Sequence, residues 1–148
     1  MTLRPNNERG SAMVLAIGVL AVLAVLAMVI VAVVVSEKRT ALADFSGTRA
    51  FYSADAASEA GVNWIKNQAI PPQIIDINNN VYLAPGFTAM NTTSQYKYDI
   101  QFVRKAIRPG WSVEYKDYQY RITATGVSTQ TSESAIDLGA TRLYREGY

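Results

Sequence analysis

Few residues in this chain could do chemistry, and they are scattered. Asp55 and Glu59 stand one helical turn apart and could form part of a divalent-cation site, yet no His or third carboxylate accompanies them nearby. Their expected role is a solvated helix face or a subunit contact. Asp76, Asp99, Asp117, Glu133 and Asp137 are dispersed singly, whereas a calcium loop needs several carboxylates together. The chain has no Cys and no His, which removes disulfides, thiol nucleophiles and the usual zinc ligand sets. It also has no phosphate-cradling Gly loop and no nucleophile elbow. The expectation is a protein that is not an enzyme, with no metal and no cofactor. A net charge of +2 without any Lys/Arg run gives no reason to expect a nucleic-acid partner.

The elements say more than the side chains. Ser11 to Val35 carries no charge and contains 15 Val, Leu and Ile residues. The run is far too long for a strand. As a helix it covers about 37 Å, more than a hydrocarbon core of ~30 Å. Its aliphatic residues favour insertion by about 5 to 9 kcal/mol. A cleaved secretory signal would have a shorter apolar region ending in an Ala-x-Ala-like site, and this run ends in Val35-Ser36-Glu37. Arg4 and Arg9 precede the run, but Lys38, Arg39 and Arg49 follow it, so basic residues alone do not orient it. The short leader favours an inside N-terminus and a translocated C-terminal region. Small residues let helices approach closely in lipid; Ala12 and Ala16 lie one turn apart, and Ala21, Ala24 and Ala27 form a drifting stripe.

Beyond Val35 the helical pattern continues to Pro71-Pro72, which breaks it. Leu42, Phe45, Arg49, Tyr52, Ala56, Ala60 and Trp64 recur at spacings of three and four, predicting one helix over about 11–67. Phe45, Tyr52 and Trp64 are expected to form the helix–sheet core. Gly47 and Gly61 weaken this helix without ending it. Residues 76–93 read as a long loop with a short strand at 81–83. Tyr96, Tyr98, Ile100 and Phe102 share one strand face; Tyr118, Tyr120, Ile122 and Ala124 line a second strand ending at Gly126; a third spans Ser134 to Tyr144. The expected fold is α+β: a long N-terminal helix packed on a small antiparallel sheet. With no disulfide available, the C-terminal region is expected to be held by packing alone.

The junction Asn7-Glu8-Arg9-Gly10 before Ser11-Ala12-Met13-Val14-Leu15 resembles a prepilin leader. Arg49-Ala50-Phe51-Tyr52-Ser53-Ala54-Asp55-Ala56-Ala57-Ser58-Glu59-Ala60-Gly61 resembles the helix segment of type IV pilin-like proteins with a PilX N-terminal region. The resemblance implies cleavage by prepilin peptidase between Gly10 and Ser11, methylation of the new terminus, and a helix that serves as membrane anchor and then fibre core. Major pilins carry Glu at the fifth mature position; here it is Leu15, which points to a minor pilin. Residues 1–10 are then the leader, 11–35 the transmembrane half of the helix, 36–68 its amphipathic half and 69–148 the loop and sheet domain. Filament packing falls to Ala12, Leu15, Ala16, Ala21, Ala24 and Ala27. The implied partners are other pilin subunits, the peptidase, the inner-membrane assembly platform and the membrane before assembly. The implied location is the bacterial inner membrane for the precursor and a cell-surface pilus once assembled. A K-type pseudopilin of type II secretion and a signal-anchored envelope binding protein are the alternatives.

Overall fold

The computed structural model describes residues 8–73, 77–128 and 132–147. Residues 1–7, 74–76, 129–131 and 148 lie outside the described residues, and with them Arg4, Asn7, Asp76 and the middle of the last hairpin connection. The chain divides into two units, Met1–Leu42 and Ala43–Tyr148. One helix, α1 (Glu8–Asn67), begins in the first and ends in the second. Within Met1–Leu42 the described part is helix alone, and its side chains are exposed from Gly10 onward.

In the second unit the last part of α1 lies on a five-stranded antiparallel sheet, an α+β arrangement. Its strands are β1 (Asn80–Tyr82), β2 (Thr88–Asn91), β3 (Ser94–Ile107), β4 (Tyr115–Ser128) and β5 (Glu133–Arg145). The order is β1-β3-β4-β5, with β2 also pairing β3 along the edge that β1 occupies. β4 is central and pairs with β5 without a register shift from Tyr115↔Arg145 to Val127↔Glu133. In β3 the register shifts between Phe102 and Arg104. This bulge carries Lys105 and Ile107 onto the face that Tyr96, Tyr98, Ile100 and Phe102 hold before it, because one extra residue inverts the alternation. β2 falls in the stretch read as loop. It is four residues long and wholly exposed, with no buried face to leave an alternating pattern.

Burial is concentrated where β3 and β4 meet the helix. Ile65, Val81, Ile100, Tyr118, Tyr120 and Ile122 form the core cluster, with Val62, Trp64, Tyr98 and Phe102 packed around it. Trp64 lies over Tyr82, which stacks on Tyr98 (ring centroids 5.1 and 5.0 Å). The Tyr120 hydroxyl donates to the Pro72 carbonyl at 2.8 Å, tying the segment after the helix to the middle of the sheet.

The expected core face of the helix is wrong for two of its three residues. Phe45 is 53% exposed and Tyr52 62% exposed. The buried positions are instead Ser46, Ala50, Ser53, Ala54, Ala57, Ser58 and Ile65, a stripe one residue further along the chain and hence rotated by about 100°. Glycine explains the rotation. A Cβ on Gly126 would lie 2.2 Å from the Ala50 carbonyl oxygen and 2.3 Å from the Ala54 nitrogen. A Cβ on Gly61 would lie 2.8 Å from Ile122 Cγ2. The helix backbone therefore rides almost against β4, and only Ser, Ala and Gly fit between them. Gly126 sits inside β4 under the helix, where a strand end was expected.

Candidate functional site

The strongest feature of the chain is the apolar first part of α1. The helix there is long and apolar enough to cross a membrane, and none of its most apolar stretch is buried. A single N-terminal helix of this length and composition is compatible with a membrane anchor, since its backbone polar groups are satisfied internally and its side chains suit lipid. Gly10 and Ser11 lie in the first turns of α1. Ala12, Leu15, Ala16, Ala21, Ala24 and Ala27 are all exposed, Leu15 by 67%. Gly18 adds a notch that no periodicity in the sequence marks: open space surrounds its Cβ position, flanked by Leu15, Val19, Val22 and Leu23. Ala24 and Ala27 border a second shallow depression with Met28, Val31 and Ala32. These notches would admit the side chains of a neighbouring helix.

In the second unit the outward face of α1 is aromatic. The Arg49 guanidinium lies 4.1 Å from the centre of the Phe45 ring and donates to Thr93 Oγ1 at 3.3 Å. Phe51 and Tyr52 meet edge to face at 6.0 Å. Asp55 and Glu59 are exposed on the same helix. Among the described residues no group of three or more metal-ligating side chains occurs.

Of the dispersed carboxylates, Asp99 and Asp137 make hydrogen bonds within the sheet domain. Asp99 Oδ1 accepts from the Ala84 amide at 2.9 Å. Asp137 accepts from Arg121 and Thr123, and these two bonds hold its carboxyl below the usual carboxylate range. Glu114 pairs with Arg145 at 2.9 Å. Glu146 is a hub: it pairs with Lys105 of β3 and with Lys116 of β4 at 2.8 Å, and it accepts from the Tyr118 hydroxyl. Its amide donates to the Glu114 carbonyl. The hydrogen bonds from Lys105, Lys116 and Tyr118 bring its pKa down to about 2. Packing alone was expected to hold this end of the chain; an ionic clasp also holds it. The signal was available, because Lys105, Lys116 and Glu146 become neighbours once the two hairpins are paired.

Burial pushes the Tyr98, Tyr118 and Tyr120 hydroxyls up to about 12, Tyr118 also through its bond to Glu146. Neutral phenols in an apolar core suit a structural role. Comparison with protein-family models, with curated proteins and with solved structures returns no match.

Proposed function

We propose that this chain is a minor subunit of a type IV pilus-like fibre, anchored in the membrane by the first part of α1 before assembly and packed through that helix afterwards. The observation that carries this reading is the long helix itself. Its apolar, exposed first part follows the Gly10–Ser11 junction, and its last part is covered by a small antiparallel sheet. An anchor alone needs about 20 apolar residues and no continuous helix reaching into the folded domain. A subunit that exchanges lipid for neighbouring helices uses one continuous helix both as its packing surface and as part of its folded domain. The partners under this reading are like subunits, prepilin peptidase and an assembly platform, and the location is the inner membrane and then the cell surface. A K-type pseudopilin would share the helix but usually adds a large inserted domain, and the connections between the strands here are short.

Processing tests the reading. Protein isolated from its native host should begin at Ser11, with a methylated amine. Replacing Gly10 with a bulky residue should block maturation and leave membrane insertion intact. Intact mass showing an uncut Gly10–Ser11 bond, or a cut after Val35, sinks the proposal.

A further inference from the structure

The β3–β4 hairpin carries a feature that the fibre reading does not use. Its turn, Arg108-Pro109-Gly110, has Gly110 at φ 80°, and it presents large apolar side chains to solvent. Ile107 is 58% exposed, Trp111 50% and Val113 70%. The Trp111 ring is held from two sides: Tyr115 meets it edge-on at 5.1 Å, and the Arg108 guanidinium lies 5.1 Å from its centre. Arg108 is in turn 3.9 Å from Asp117. The aromatic side chain is thus fixed in an exposed position by specific contacts.

The hairpin projects past the C-terminal end of α1. Ser46 meets Ser128 at one end of β4, and Arg142, opposite Tyr118, reaches the Ile65 and Gln68 carbonyls at the other. Ile107↔Lys116 and the turn lie further on in the same direction.

Charge is segregated to this end. Of the chain's fourteen basic and twelve acidic residues, four basic and two acidic precede Ala43, leaving ten of each. Around the hairpin stand five basic side chains (Arg104, Lys105, Arg108, Lys116, Arg145) and three acidic ones (Glu114, Asp117, Glu146). A domain of zero net side-chain charge therefore has a surplus of two positive charges beside its exposed apolar tip.

We propose that this tip docks on a bilayer surface containing anionic lipid, with Trp111, Val113 and Ile107 entering the headgroup–acyl boundary and the basic side chains meeting the headgroups. The tip's apolar side chains are exposed to solvent, as an inserting element requires, whereas a small-molecule site encloses its ligand. Trp is suited to that boundary, having an apolar body and one N–H for the wet side. Positive residues beside the apolar wedge add an attraction that depends on anionic lipid and weakens with salt.

Full-length protein carrying Trp64→Phe, which leaves Trp111 as its one tryptophan, is reconstituted in phosphatidylcholine vesicles, so that α1 is already accommodated. Acceptor vesicles with brominated acyl chains are then added, either of phosphatidylcholine or of phosphatidylcholine with phosphatidylglycerol. Quenching and a blue shift of Trp111 emission are expected with the anionic acceptors at low salt, reversing as salt rises. Trp111→Ser with Val113→Ser should lower vesicle co-flotation by about tenfold or more, as losing two buried apolar side chains implies. Arg104→Gln with Arg108→Gln should reduce it to the level on phosphatidylcholine. Unquenched Trp111 on anionic acceptors overturns the proposal and leaves the tip as a surface for a protein or glycan; equal quenching by neutral and anionic acceptors overturns the role given to anionic headgroups.

Discussion

Glycine positions decide how this domain packs, more than its large apolar residues do. A methyl group on Gly126 has no room, because backbone atoms of Ala50, Ser53 and Ala54 occupy its place, and backbone cannot step aside as a flexible side chain can. Gly126→Ala should therefore cost about 3 kcal/mol or more. Phe45→Ala and Tyr52→Ala, on the outward face, should each change stability by no more than about 0.5 kcal/mol. Thermal unfolding of the three variants checks both statements, and the reverse order would mean that the helix sits on its aromatic face. The ionisable residues give a pH window. Glu146 has its pKa lowered to about 2, so its contribution is present above its unfolded value near 4.5 and is lost as pH falls through about 2. Tyr98, Tyr118 and Tyr120 are raised to about 12, so their contribution is complete below about 10 and is lost as pH rises through about 12. Stability measured against pH should be flat between these limits, and Glu146→Gln should remove the acid-side loss below pH 4.5 that Glu146 causes.

At the scale of elements, the helix end, the alternation of 96–102 and 118–124, and β5 to within one residue at each end were legible in the sequence. Each leaves a periodic or terminating signal: Pro71-Pro72 for α1, and aromatic and aliphatic residues two apart for the strands. The face of α1 was not legible from hydropathy. Phe45, Tyr52 and Trp64 form the more apolar stripe, but the small stripe one residue on permits the closer approach to β4, and the close approach prevails. The bulge at Phe102–Arg104 was also invisible, since nothing in the sequence marks the residue that is skipped. The junction of α1 with β5 depends on Arg142, whose guanidinium donates to the Ile65 carbonyl at 2.5 Å and the Gln68 carbonyl at 2.7 Å. Free carbonyls at a helix C-terminus favour a cation. Arg142→Ala should cost about 1.5 to 3 kcal/mol, the range for hydrogen bonds made by a charged group. Faster amide exchange over residues 64–68 should accompany the loss, and unchanged exchange there would show that the helix end is held by Tyr120 and Pro72 instead.

At the scale of the whole molecule, the two units differ in what they bury: the described apolar side chains of the first are exposed, whereas the second encloses a core. Among the described residues, the core around Ile100 and Ile122 and the hydrophobic residues packed against it include none before Val62. A fragment beginning at Ala43 should be soluble, with helix and sheet intact by circular dichroism and a single cooperative melt. Aggregation of that fragment, alongside well-ordered full-length protein in detergent, would refute this division.

Leu15 carries the consequence for assembly, on the proposed fibre reading. A fibre whose subunits pack helix to helix buries each mature amine in an apolar core, and a buried charge costs several kcal/mol unless it is paired. A subunit with Leu15 at the fifth mature position supplies no carboxylate to its neighbour's amine, so repeated incorporation leaves a row of unpaired charges. Sparse incorporation, at an end or during initiation, avoids that row. Leu15→Glu should still insert, because a charge costs about 2.5 to 3.5 kcal/mol at the centre of a span and less near its end, where residue 15 lies. The variant should then enter the shaft more readily. Quantitative mass spectrometry of purified fibres measures the ratio of this chain to the major subunit, wild type against variant. A low ratio that rises in the variant is expected. A wild-type ratio near one would make this chain a main component, whose buried amines must be neutralised by some group other than the side chain at position 15.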